Sequence, residues 1–136
     1  MAITNLRQFN SNIQRFSKQL VPLAAIRFQK KIAFDALRLL VLITPVDKGQ
    51  ARANWQTSVG TFSRKEVENW QSVDASAEHF NALLSILPFQ VIYLTNNVPY
   101  IEKLDGSAGV GPPSSKQAPN GILQPVINTL NSIFPN

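Results

Sequence analysis

The sequence predicts an α+β fold with two N-terminal helices (one of them long), a small mostly antiparallel sheet, a middle helix and a C-terminal helix. Apolar residues recur at helical spacing across an N-terminal helical region, residues 4–43, and again near the C-terminus. In two segments between them, β-branched and aromatic residues predict strands. A chain of 136 residues fits one domain, 1–136, with a core of its own.

The first helix is predicted over residues 4–20. Its apolar residues are spaced by three and four and share one face: Leu6, Phe9, Ile13, Phe16 and Leu20. Pro22 follows, and proline fits the first turn of a new helix, where its missing N–H costs nothing. The sequence therefore predicts a kink or break near 20–22 and a second helix that continues to about Ile43.

The second helix is expected to contact more than one surface. Its main apolar line consists of Ile26, Ala33, Leu37 and Leu40, and its basic residues are Arg27, Lys30, Lys31 and Arg38. The basic residues fall largely on another side, while Phe28 and Phe34 extend the apolar surface beyond one stripe. A helix that is apolar on more than one side usually packs against more than one partner, which here could include a neighbouring subunit.

The remaining elements are shorter. Strands are predicted at 54–62 and 89–95, with a helix of about 74–87 between them whose apolar positions are Ala77, Phe80, Leu83, Leu84 and Leu87. One short helical turn can follow at 99–104. Residues 105–120 are rich in Gly, Pro and Ser and form the longest predicted loop, a place where small domains often carry function. Residues 122–133 predict either a helix that starts near Pro125 or a strand that runs into one.

Composition narrows the function classes. Charged residues make up 15% of the chain, below the usual ~25%. Much of the protein's surface is therefore either neutral and polar or covered in an assembly. The chain has no cysteine, which excludes disulfides and thiolate chemistry. No apolar run approaches ~18 residues, so no membrane span is expected, and the N-terminus does not resemble a signal peptide.

The net charge of +5 comes from the N-terminal third. Residues 1–40 contain seven basic residues and one acidic residue, whereas residues 41–136 contain six basic and seven acidic residues. A one-sided basic region is compatible with DNA, with an acidic partner surface, or with a solvated helix face.

No catalytic, cofactor or metal site is predicted. The single histidine, His79, lies in a helical pattern and is interpreted as a partly exposed helix residue; only Asp74 and Glu78 stand near it, too few for a metal site. The glycine-rich stretch 106–111 lacks the Lys-Ser/Thr ending of a phosphate-binding loop. Glu102 and Asp105 are interpreted as a solvated helix end.

A joint between helix and strand is predicted at residues 44–55. Pro45 ends the helix, Asp47 can hydrogen-bond the backbone two residues on, and Gly49 can adopt positive φ without steric cost. Arg52 approaches the strand, and Trp55 supplies a large anchor for a core or an interface.

The amino-acid sequence of this joint also resembles a pattern found in a known protein family. TPVDKGQARANWQ is similar to TPVDTGRARANWQ, a pattern of the tail-component family of tailed bacteriophages, which includes neck and tail-completion proteins similar to the lambda minor tail protein Z. YLTNNVPY at 93–100 resembles that family's ITNNLPY, and SKQAPNG at 115–121 resembles its SKQAPAG. The resemblance covers about residues 33–123, with an apparent insertion at 107–113 and with Lys48, Gln50 and Asn120 departing from the usual residues.

The resemblance implies a non-enzymatic virion protein of the neck or tail, assembled in the bacterial host cytoplasm. It implies a homo-oligomeric ring that contacts a connector or stopper on one side and a terminator or tail-tube protein on the other. Non-specific contact with DNA in the lumen is expected, with Arg27, Lys30, Lys31 and Arg38 facing the lumen or a partner. Tyr100, Lys116, Gln117 and Pro119 are candidate interface residues. The alternatives are a tail terminator that caps the tube and a small basic nucleic-acid-binding protein.

Overall fold

A computed structural model describes residues 6–68, 79, 81–106 and 110–135. It confirms the α+β class. The elements follow one another as α1 (Leu6–Arg15), a π turn (Phe16–Leu20), α2 (Val21–Ile43), α3 (Gln50–Ala53), β1 (Trp55–Val59), β2 (Ile92–Asn96), α4 (Ile101–Asp105) and α5 (Leu123–Ile133).

The N-terminal region is helical over its described residues, 6–43, and the expected kink or break near 20–22 takes the form of a π turn instead. Leu20 and Val21 keep helical dihedral angles, and the Val21 N–H donates to the carbonyl of Phe16, five residues back. Pro22 explains this widening, because proline has no N–H to donate and its ring crowds the carbonyl four residues earlier. A π turn relieves both problems without ending the helix.

The core lies against one face of α2. Ala33, Ala36, Leu37 and Leu40 are buried there, while Ile26, predicted on the same line, is half-buried. Leu37 and Leu40 pack with Trp55 of β1 and with Ile122 and Val126 at the start of α5. The predicted apolar line of α2 is therefore the surface on which the sheet and the C-terminal helix pack.

The sheet of the described residues has two antiparallel strands. Trp55 pairs with Asn96 and Val59 with Ile92, so the register covers five residues on each strand. Both strands are shorter than predicted. In this register residues 60–62 would lie opposite 91–89, but the ladder ends at Val59 and Ile92, and Gly60 (φ 83°) and Phe89 (φ 63°) are not in the extended conformation. Gly60 still donates one backbone hydrogen bond to Val91.

The middle helix is only partly within the described residues. Residues 79 and 81–83 are helical, and the helix ends at 83 rather than 87. Of the apolar positions named for this helix, Leu83 is buried, whereas Leu84 and Leu87 are exposed and Ile86 is buried. Asp74, Ala77 and Phe80 lie outside the described residues.

The chain returns to α2 through α4 and α5, and the helical alternative for 122–133 is the correct one. The segment 105–120, predicted as a long loop, is fastened at several points within its described part. The Ser114 N–H donates to the carbonyl of Lys103, and Gly106 lies against the ring of Pro113. Asp105 accepts hydrogen bonds at 2.9 and 2.8 Å from the backbone N–H groups of Ile122 and Leu123, which open α5.

Candidate functional site

The helix-to-strand joint is built around the carboxyl end of α2. Thr44 leaves the helical region with φ −60° and ψ 124°, as a residue before proline should. The carbonyl groups at a helix end lack partners within the helix. Arg52 satisfies two of these groups, donating from Nε to Thr44 O (2.8 Å) and from Nη2 to Leu42 O (3.1 Å). Its positive charge also favours this negative end of the helix dipole.

Trp55 lies in the core next to this helix end. Only 5% of its surface is exposed, and its indole N–H donates to the fully buried Thr44 Oγ1 at 2.8 Å. Thr44 Oγ1 in turn donates to the carbonyl of Leu40. The hydroxyl therefore joins the strand anchor to the last turn of α2, a role that the sequence pattern did not single out.

The turn at 45–49 is held differently from the prediction. Asp47 is exposed, and its carboxylate accepts no backbone hydrogen bond from the described residues, so the expected local turn contact is wrong. Gln117 holds the turn instead: its Oε1 accepts from Val46 N–H and its Nε2 donates to Val46 O, both at 2.9 Å. Gly49 adopts φ 91°, where a side chain would be strained.

The 93–100 motif contacts the same joint. Asn96 Nδ2 donates to the carbonyl of Ala51 at 2.7 Å, and Tyr100 OH donates to Gln50 Oε1 at 3.2 Å. The pKa of Tyr100 is raised above its ordinary value, mainly by desolvation of the phenol and to a smaller extent by the negative charges of Glu66 and Asp47. The second motif thus meets the first at α3, and the third meets it at Val46 of the turn.

Asn54 and Asn97 also fix the joint, and the sequence interpretation missed both. Asn54 is fully buried; it donates to Gln50 O and exchanges two hydrogen bonds with the backbone of Val67. Asn97 donates to the carbonyls of Ser63 and Lys65. The sequence clue was that both asparagines lie inside the quoted motifs. A side-chain amide can both donate and accept hydrogen bonds, so it can take the place of a missing strand partner.

A groove of about 360 Å³ opens where the motifs meet. Its lining includes Asp47, Lys48, Gln50, Tyr100 and Gln117. No group of three or more His, Cys, Asp or Glu residues that could hold a metal ion occurs in the described part of the chain. The groove offers neutral amides, a phenol and isolated charges.

His79 is buried, contrary to the prediction of a partly exposed residue. Its surface is 6% exposed, and Nδ1 lies 2.7 Å from Thr57 Oγ1 on β1. Helical periodicity alone does not show which side of a short helix faces the sheet, so the sequence pattern could not predict that His79 is buried. Asp74 and Glu78, its supposed neighbours, lie outside the described residues.

The other predicted residues divide into two surfaces. Pro45 is buried in the joint, whereas Lys116 and Pro119 are exposed beside Gln117. Arg27, Lys31 and Arg38 are exposed on α2 and Lys30 is half-buried, with Lys31 paired to Asp35 at 2.8 Å. Since α2 leads away from the joint, the basic residues and the joint are separate features.

Comparisons with protein-family models, with curated proteins and with solved structures find no match for this chain. Within the described residues, none of the helices combines the length and the apolar character needed to cross a bilayer.

Proposed function

We propose that this chain is a non-enzymatic virion subunit of a tailed bacteriophage, acting in the neck as a tail-completion protein that joins tail to head. The proposal starts from the resemblance of three short motifs to the tail-component family. Each motif is short, so their spatial relation matters more than any one of them.

The observation that carries the proposal is the meeting of these motifs in one joint. Gln117 of the third motif clamps Val46 of the first through two hydrogen bonds. Tyr100 of the second motif reaches Gln50 of the first. A chance similarity of short segments gives no reason for them to be neighbours, whereas a shared structural unit does.

The distribution of apolar surface also supports a subunit role. Large exposed hydrophobic residues occur on α1, on α2, on the 84–91 segment and on α5. Ring closure requires one patch on each subunit to fit a different patch on its neighbour. Several separate apolar patches meet that requirement and are unusual for a monomer that functions alone.

Two alternatives predict different phenotypes. A tail terminator would stop tube growth, so its loss should give tails of uncontrolled length. A small basic nucleic-acid-binding protein finds support in the exposed basic residues of α2, and its loss should leave virion structure normal.

The deciding experiment deletes the gene from its phage and images the products by electron microscopy. Tail completion predicts filled heads beside unattached tails of normal length, and a plasmid copy should restore complete virions. A complementing Gln117→Ala chain tests the joint, with Gln124→Ala on α5 as an exposed-glutamine control. Complete virions from the deletion phage would refute the proposal, and overlong tails would assign the terminator role.

A further inference from the structure

The N-terminal helix carries a long apolar face that nothing in the described structure covers. Every residue from Leu6 to Val21 is exposed. The apolar ones on one face are spaced by three and four residues and are each 46–60% exposed: Leu6, Phe9, Ile13, Phe16 and Leu20. This is the a/d repeat of a coiled-coil seam, in which each side chain inserts between residues of a facing helix. We call it the arm seam.

The π turn extends the arm seam into α2. A π turn adds one residue to a helical turn and so rotates the residues that follow it. As a result Val21, Ala24 and Phe28 line the same concave apolar surface as Phe16 and Leu20, a hollow of about 620 Å³ that also includes Phe89. Phe28 is held there by an edge-on contact with Phe134, with ring centroids 5.6 Å apart.

The area of the apolar face matches a stable interface. Eight large apolar side chains lie along it, and all but Val21, at 36%, are about half exposed or more: Leu6, Phe9, Ile13, Phe16, Leu20, Val21, Phe28 and Phe89. An aromatic side chain can bury about 150–250 Å². The face therefore offers on the order of 800 Å², which is what each partner contributes to an interface of standard size.

The residues beside the seam indicate which partner fits it. If Leu6 is an a position, the flanking e and g positions are all neutral: Asn10, Asn12, Ser17 and Gln19. The basic residues Arg7 and Arg15 fall at b and c, away from the seam. Charges at e and g select a partner of opposite charge, and like charges there would repel an identical helix. Neutral flanks remove that repulsion and leave an apolar face that fits itself.

We propose that the arm seam packs against the same helix of a second copy of this chain. The contact joins the same patch on two copies, so it pairs subunits and does not by itself close a ring. It extends the proposed function by naming one surface through which subunits associate, and in that biological sense it rests on that function. The physical claim depends on the seam alone and can be tested on the purified full-length chain.

The test is sedimentation velocity of the full-length wild type, Ile13→Glu and Ser11→Glu at concentrations up to ~100 µM. Ile13 lies at the centre of the seam, and Ser11, also exposed, lies about opposite it on the helix. We expect the wild type and Ser11→Glu to sediment as oligomers and Ile13→Glu as a monomer. Because Ile13 contributes nothing to the core, Ile13→Glu should unfold cooperatively, with the melting temperature that the wild type shows at dilutions where it is monomeric.

The proposal is overturned if the wild type is monomeric, if Ile13→Glu keeps the oligomer, or if Ser11→Glu loses it equally. These outcomes are independent of the phage phenotype. If Ile13→Glu stays oligomeric and complements the deletion, the arm contact is refuted and the proposed junction role stands. If Ile13→Glu is monomeric and the deletion phage gives normal virions, the arm contact stands and the proposed function is refuted.

Discussion

At the scale of single residues, Thr44 is the point where helix, turn and strand are tied together. Its hydroxyl accepts the indole hydrogen bond of Trp55 and donates to Leu40, and the residue is fully buried. Its carbonyl accepts from Arg52. A valine would match its shape but could not accept from the indole.

We predict that Thr44→Val lowers the free energy of unfolding by about 1–3 kcal/mol, because the buried indole N–H loses its acceptor. Trp55→Phe removes the donor itself. In that background Thr44→Val should cost less, since no indole N–H is left without a partner. Urea denaturation of the wild type, both single variants and the double variant gives the coupling energy between the two positions.

Equal costs of Thr44→Val in the two backgrounds would contradict this account. The loss would then arise from the threonine side chain's bond to Leu40 rather than from Trp55. Thr57→Val is a companion variant, because Thr57 of β1, like Thr44, has a hydrogen-bonded hydroxyl, in this case to His79.

At the scale of elements, α5 begins where it does because Asp105 reaches it from the end of α4. The carboxylate satisfies the first two N–H groups of the helix region, which otherwise lack partners. Gly121 permits the close approach. It has φ +83°, and a Cβ built on it would lie 2.3 Å from the carbonyl oxygen of Asp105.

We predict that Gly121→Ala destabilises the protein well beyond the cost of its backbone conformation. Gly60 is a matched control, since it has the same φ of +83° but no atom within 4 Å of a built Cβ. Gly60→Ala should therefore cost only the ~1–2 kcal/mol of left-handed strain. Thermal or urea unfolding of the two variants compares them directly, and equal losses would show that α5 does not depend on the Asp105 contact.

The same scale shows what the sequence could predict. Helical spacing gave α1, α2 and α5, because a helix repeats locally and its apolar face is read from residues three and four apart. The strand ends were predicted too far out, since strand length depends on pairing between β1 and β2. The middle helix ended early, and Ile86 rather than Leu87 entered the core.

The site was predicted in outline and missed in mechanism. The position of the joint, its bend at Gly49 and its anchor Trp55 follow from the local pattern. The clamp does not, because Gln117 and Val46 are 71 residues apart in sequence and no local rule pairs them. Local chemistry favoured Asp47 as the residue that holds the turn, but the amide of Gln117, far away in sequence, holds it instead.

At the scale of the whole molecule, the basic residues of α2 and its buried line occupy different sides of one long helix. Arg27, Lys31 and Arg38 fall within about 40° of one another around the α2 axis. They are exposed and face away from the buried line of Ala33, Leu37 and Leu40. The core side packs against the sheet and α5, which leaves the arm seam and the basic side exposed.

We predict that the full-length chain binds duplex DNA without sequence preference at low salt, through this basic side. Each phosphate neutralised contributes about 0.9 to the slope of log Kobs against log salt, so Arg27→Ala with Arg38→Ala should reduce the slope by about 1.8. Lys65→Ala with Lys103→Ala removes the same charge from exposed positions outside α2 and should change the slope much less. Fluorescence anisotropy with a labelled duplex across a salt series measures both. If the two pairs reduce binding equally, net charge alone is responsible. If the wild type does not bind at low salt, the prediction is wrong, and the basic side is either a surface for an acidic partner or a solvated helix face.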